Sequence, residues 1–277
     1  MPIVERKRRW LGRGLQLAAL LPCCLGLPSH SEPAPSQIEA TPKRETGAYG
    51  RLGAGVAWPQ TDGFRDGNCA STQPAALFGC GAGNDGRRLG ATGGFNPALA
   101  VDGALGYRFN RWIRAEALVS WLPDLDFQGQ SNFRGAAGTN QPVKGAVSSV
   151  AGFGVAYVDL PRVGEVRPFL GAGLGVARNR IEALNFRFPG IAPTASTTIP
   201  GGSTSDLAYL LTAGISLPLS GRLDLDLAYR FSDLGSVKTS GGQAQVVRPA
   251  RTFSIPIGGT TSYLKTHGLV VSLRYAF

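Results

Sequence analysis

Lysine is nearly missing from most of this chain. Of five lysines, one lies in the first ten residues; Lys43, Lys144, Lys238 and Lys265 avoid the centres of the periodic segments described below. A sheet exposed to water would carry Lys, Glu, Gln and Thr in quantity on its solvent face. Long hydrophobic runs are also missing. Apolar residues make up 43% of the 277, yet beyond the N-terminal segment they never accumulate over a helix length, which excludes a helical membrane span there. Histidine is scarce too: His30 lies near the start, and His267 is the other of the two. That weighs against chemistry needing an imidazole paired with other groups. A basic stripe is the last absence. The net charge of +10 owes much to Arg6, Lys7, Arg8, Arg9 and Arg13, and the remaining excess is thinly spread, so nucleic acid is not an expected partner.

What is present begins with an export signal. "ERKRRWLGRG" is a cationic opening and "LQLAALLPCCLGL" a short apolar stretch, the order of a secretory signal peptide. Residues 1–30 are assigned to it, with cleavage anywhere between Ser29 and Ala40. Cys23 and Cys24 raise a lipoprotein alternative, against which Pro22 stands where a lipobox wants a small residue. Residues 31–46, with "SEPAPSQIEATPKRE", read as a flexible leader. Cys69 and Cys80 lie in one Gly/Asn/Asp/Ser-rich stretch. In an exported chain such a pair suggests a disulfide, with free thiols as the alternative.

From residue 47 onward the pattern alternates with period two. Leu52, Ala54, Val56 and Trp58 share one parity. So do Leu99, Val101, Leu105 and Tyr107; Ile113, Ala115, Ala117, Val119 and Trp121; and Ala151, Phe153, Val155 and Tyr157. Leu170, Ala172, Leu174 and Val176 face away from Gly171, Gly173 and Gly175. Leu207 to Leu217, Leu223 to Phe231 and Leu269 to Phe277 complete eight segments. Their connections alternate: 107–113, 159–166 and 218–222 are tight, whereas 59–94, 126–147, 181–205 and 235–262 are long. The expected fold is all-β, an eight-stranded antiparallel up-and-down barrel over 47–277, with the long connections as irregular loops at one end.

The second face decides between water and lipid outside. It is mostly Gly, Ala and Ser, too small and too sparsely charged for solvent, but suited to a narrow interior. The apolar parity is then expected to face lipid, as in a transmembrane barrel. Trp58, Trp112, Trp121, Tyr107, Tyr229, Phe231, Tyr275 and Phe277 lie towards segment ends, where interfacial girdles belong. The inward parity gathers Arg51, Asp102, Arg114, Glu116, Asp224, Asp226, Arg230 and Arg274. Two uses are open: a network that plugs the barrel, or the lining of a selective channel. Asp224 and Asp226 also suggest acid–base chemistry, but nearby arginines favour structural pairing. No catalytic, cofactor or metal residue is assigned. Gly171, Gly173 and Gly175 alternate within a strand with no helix following, so they are read as small inward residues that make room for long neighbours.

The closing stretch "GLVVSLRYAF" resembles the last strand of Gram-negative outer-membrane proteins, in which the terminal aromatic belongs to the assembly signal. With "RPFLGAGLGVA" and "DLDLAYRFSDLG", the body is similar to the small eight-stranded family of the OmpA transmembrane domain, the opacity proteins and the alphaproteobacterial surface antigens. The resemblance implies an outer-membrane scaffold for variable surface loops, with a small-solute or hydrophobic-compound channel as the alternative. A lipid A-modifying enzyme is the third reading, and the His/Ser/Asn pattern it needs is missing. Tyr275 and Phe277 are the residues the assembly machinery would read. Lys265 and His267 are expected at the rim, where lipopolysaccharide phosphates lie. No cell-wall-binding domain of the full-length OmpA kind is expected, so anchoring to peptidoglycan is not implied.

Overall fold

The computed structural model describes residues 46–277; the segments read above as signal peptide (1–30) and leader (31–46, save its last residue), with Cys23 and Cys24, lie outside them. Fourteen strands follow in order: β1 (Gly47–Gln60), β2 (Arg65–Asp66), β3 (Ala91–Phe95), β4 (Ala98–Arg108), β5 (Ile113–Ser131), β6 (Pro142–Asp159), β7 (Arg167–Ile181), β8 (Leu184–Arg187), β9 (Ser196–Ile199), β10 (Gly202–Pro218), β11 (Leu223–Lys238), β12 (Gly242–Arg248), β13 (Arg251–Ile257) and β14 (Thr260–Ala276). Eight of them close a ring. β1 pairs with β4, then β5, β6, β7, β10, β11 and β14 follow, each antiparallel to the last, and β14 returns to β1 from Tyr49↔Ala276 to Gln60↔Lys265. Closure leaves the ring without an open edge.

One end of the ring carries the tight turns and the other carries everything else. At the turn end the chain reverses within a few residues. Asn110 Oδ1, for example, accepts the Trp112 and Ile113 amides at 2.7 and 2.9 Å. Near that end the outer surface is apolar: Leu52, Leu105, Val119, Leu170, Leu174, Leu227 and Leu273 are all exposed. Tyr107, Trp112, Tyr275 and Phe277 border this belt below, and Trp58, Trp121 and Tyr209 border it above. His267 and Tyr275 on β14 are eight residues apart, about 26 Å of strand at ~3.3 Å per residue, less once the strand tilts.

Two expectations are corrected here. First, the long connections are not irregular loops. β5 and β6 continue as a paired ribbon from Leu125↔Val147 to Gln130↔Pro142, across the whole of 126–147 but its tip. β2 and all but the last residue of β3 lie within 59–94, β8, β9 and the start of β10 within 181–205, and β12 and β13 within 235–262. β8 joins β6, β9 joins β8, and β12 joins β9, so these strands form one sheet extension. The physical reason is a change in what the inward face carries. Past the belt the inward positions become largely apolar: Leu125, Phe127, Val143, Val147, Leu184, Phe186, Ile199, Leu234, Val246 and Leu264 are all buried. Their polar neighbours, such as Asp126, Gln128 and Lys144, are exposed. A continuous core with edge-to-face aromatics (Phe64–Phe127, centroids 5.0 Å) fills this end.

On β5 and β11 the inward parity itself also switches, which needs a mechanical device, because a strand's parity is otherwise fixed. On β5 the register shifts between Leu122 and Leu125. Even-numbered residues point inward before the shift and odd-numbered ones after it. β11 shifts between Asp233 and Ser236. There Gly235 has φ +75°, and a Cβ would come 2.6 Å from the Asp206 side chain. Asp206 Oδ2 in turn accepts the Ser236 amide at 3.0 Å and its hydroxyl at 2.8 Å. Both shifts are β-bulges, which let a strand change its aim.

The second correction concerns β6. Ala151, Phe153, Val155 and Tyr157 do not face outward; all four are buried inside the ring. The outward residues of that strand include Gly152, Gly154 and Ala156. The reason lies across the barrel wall. β7 presents Gly171 and Gly173 inward, and a Cβ there would meet Tyr157 Cδ1 at 2.6 Å and Val155 Cγ2 at 3.0 Å. The glycine face of one strand accommodates the bulky face of its neighbour.

Candidate functional site

All eight inward charged residues named from the sequence lie inside the turn-end half of the barrel, none more than 7% exposed. They form three groups. Glu116 on β5 is the centre of the largest. Arg51 Nη2 reaches its Oε2 at 2.6 Å, and Arg114 Nη1 reaches its Oε1 at 3.1 Å. The hydroxyls of Tyr49 and Tyr157 donate to it at 3.0 and 3.1 Å. Arg114 continues to Asp159 at 3.0 Å and lies over the Tyr157 and Phe169 rings at 4.1 and 4.8 Å. In the second group Arg274 contacts Asp224 at 3.2 Å and Asp226 at 3.1 Å, with Ser216 joining both Arg274 and Asp226. The third is Arg230 with Asp102 at 2.8 Å. Arg51 and Arg274 are direct cross-strand partners on β1 and β14, so the first two groups adjoin.

The arrangement has members the parity reading missed. Arg108, on the same face as Asp102, contacts Asp159 at 3.3 Å. Asp159 shares the parity of Tyr157, which the apolar character of β6 had assigned to lipid. Adding this pair gives five arginines (51, 108, 114, 230, 274) and five carboxylates (102, 116, 159, 224, 226), a neutral set. Charges this far from water need such pairing, since an isolated one costs several kcal/mol, of order 3–5 when one partner is removed. The signal was available: a run of inward positions ending on Asp159 needs a cation opposite.

The remaining named residues lie apart. Tyr275 and Phe277 are exposed on the outer face, ring centroids 5.8 Å apart, and the Phe277 amide donates to Ala48 O at 3.1 Å. Lys265 lies on β14 with Asp233 3.9 Å away. His267, also within β14 and not at a loop end, bonds through Nδ1 to the Tyr229 hydroxyl. Cys69 and Cys80 are joined in a disulfide. Among the described residues no group of three or more His, Cys, Asp or Glu has the geometry to hold a metal.

An uncharacterized protein of Brucella abortus is 31% identical over 153 residues, 50% of this chain and 51% of that one. The chain thus spans about half the length of that relative. A protein of Rickettsia canadensis named as a candidate adhesin is 27% identical over 187 residues, 65% of this chain and 75% of the other. Among solved structures, the outer membrane protein OprG of Pseudomonas aeruginosa aligns over 84% of this chain and 97% of its own, with TM-score 0.46 and 12% identity. The outer membrane protein beta-barrel domain family matches residues 33–277. With its closed eight-stranded ring, apolar belt and charged interior, this chain belongs to the outer membrane protein β-barrel family.

Proposed function

We propose that this outer-membrane barrel is a closed shaft carrying a folded outer head, and that the head makes contacts at the cell surface. The single observation that carries the reading is the contrast in the interior. A neutral set of ten buried charges lies in the turn end among inward side chains such as Phe153, Tyr157 and Phe169, and the loop end holds an uncharged, largely apolar core. An eight-stranded barrel has room for side chains and little else, so these contents favour a scaffold over a channel. Short turns belong to the periplasm and long connections to the outside in this architecture, which places the head outermost. The adhesin name of the Rickettsia relative is consistent with surface contact. Residues 1–30 would supply export. Tyr275 and Phe277, on the last strand, would present the aromatic end to the assembly machinery, and Lys265 and His267 would lie near lipopolysaccharide. We assign no catalysis: His267 bonds to Tyr229 on the outer surface, away from the buried carboxylates.

Fractionation followed by protease treatment of intact cells tests the placement. The protein should be in the outer membrane and be cut within the head connections at 67–90 or 239–259. The turns at 109–112, 160–166 and 219–222 should be cut only after permeabilisation. Cleavage at those turns in intact cells would reverse the orientation. Attachment of cells to host-derived or abiotic surfaces, with and without the gene, then tests the contact role; equal attachment would remove it.

A further inference from the structure

The four loop-end connections converge on one concave apolar site that the scaffold reading does not use. Its cavity is about 380 Å³, within the range typical of small-molecule pockets. Leu77 comes from the first connection, Phe133 and Arg134 from the second, Phe186 from the third, Val246 and Arg248 from the fourth. Phe186 and Val246 are buried and make the floor. Phe133 packs flat on Phe78 at 5.1 Å and edge-on to Phe186 at 6.2 Å, which fixes the wall.

The charged groups are of one sign. Arg134 Nε donates to Gly83 O at 3.3 Å. Arg248 Nη1 donates to the carbonyls of Ser196 and Val247 at 3.0 and 2.8 Å, and its guanidinium lies over Phe188 at 5.3 Å. These bonds hold both side chains at the site while using only part of each guanidinium's five N–H donors. The lining contains no carboxylate, and neither arginine is in an ion pair among the described residues. The ten-charge network pairs its arginines with carboxylates; this site leaves that role to an incoming group.

We propose that the four connections form a binding site for a small amphipathic anion, with its apolar body on Phe186 and Val246 and its acidic group at Arg134 and Arg248. The site lies beyond the apolar belt, in the head, so the ligand arrives from the aqueous side and not from the bilayer. Guanidinium favours planar, bidentate acids, and an aromatic or short acyl carboxylate meets both requirements.

The test is calorimetric titration of 2-naphthoate into the full-length protein in lipid nanodiscs, with empty nanodiscs subtracted and the neutral 2-naphthamide as comparison. Saturable one-site binding of the acid is expected, at least tenfold tighter than the amide. The double variant Arg134→Gln/Arg248→Gln should lose at least tenfold affinity for the acid and little for the amide. Ile255→Trp, which fills the site from its exposed rim, should abolish both. Heat-modifiable gel mobility checks that each variant folds. No saturable heat with folded wild type would overturn the proposal, as would binding unaffected by Ile255→Trp. Saturable binding of an acidic, phenylalanine-containing peptide with none of 2-naphthoate would overturn it in favour of a polypeptide partner.

Discussion

The two halves of this barrel are built by the same strands on opposite rules. In the turn-end half apolar side chains cover the outside, and the inside holds five arginines against five carboxylates. In the loop-end half the inside is mainly Phe, Leu, Val and Ile with uncharged polar residues such as Gln141 and Thr260, and the outside carries polar residues such as Asp126, Gln128 and Lys144. What differs is the surroundings of the wall. Lipid accepts leucine, and the polar residues must then find one another inside. Water accepts Asp126, Gln128 and Lys144, and the apolar residues must then gather in the middle. The bulges on β5 and β11 fall where one rule gives way to the other. Faces of a strand therefore have no fixed meaning along its length; the solvent at each height assigns them.

The comparison breaks most sharply at Glu116. It serves Arg51 and Arg114 together, so Glu116→Ala leaves two buried cations short of a partner. We expect a loss of about 3–5 kcal/mol, read as a lower temperature for the shift between folded and unfolded gel mobility. Protease resistance of the head should change little at low temperature. An unchanged transition would mean the network carries no stability.

The reciprocal change is Leu184→Ala, at a fully buried position of the head. A cost of about 2–5 kcal/mol is expected for a deleted core leucine, but in the other half. The head should become sensitive to external protease while the barrel keeps its folded mobility. If both halves loosen equally, they are one cooperative unit and the division drawn here is wrong.

A smaller effect is expected at the boundary. Gly235→Ala places a side chain at φ +75° against Asp206, a cost of roughly 1–2 kcal/mol for a left-handed non-glycine residue. Backbone amide exchange should rise on β11 from Asp233 to Lys238 and stay constant from Leu223 to Tyr229. Uniform exchange along the strand would show that the bulge is not a separate element.

Much of the shaft was legible in the sequence, and the reason is its periodicity. On most belt strands lipid favours an apolar residue at every second position, and a run such as Leu223, Leu225, Leu227 and Tyr229 has few other readings. The inward arginines and acids stand out against Gly, Ala and Ser on the same face. The head was not legible. Its added strands are short, four residues in β8 and β9 and seven in β12 and β13, and bulges put β5 and β11 out of phase where they enter it, so the alternation that marks Leu125–Phe127 or Leu184–Phe186 lasts only one or two repeats. β6 was misread for a related reason. Its inward face is as apolar as an outward one, and only the glycines of β7, which receive Tyr157 and Val155, reveal the direction. Arg108 and Asp159 went with that error.

The central claim is that the inward charges close the shaft. Purified protein in planar bilayers measures this directly. Wild type should show little or no steady conductance at moderate voltage, and Arg274→Ala, which releases Asp224 and Asp226 from their shared cation, should admit small ion currents. Large, stable single-channel currents from the wild type would contradict the account.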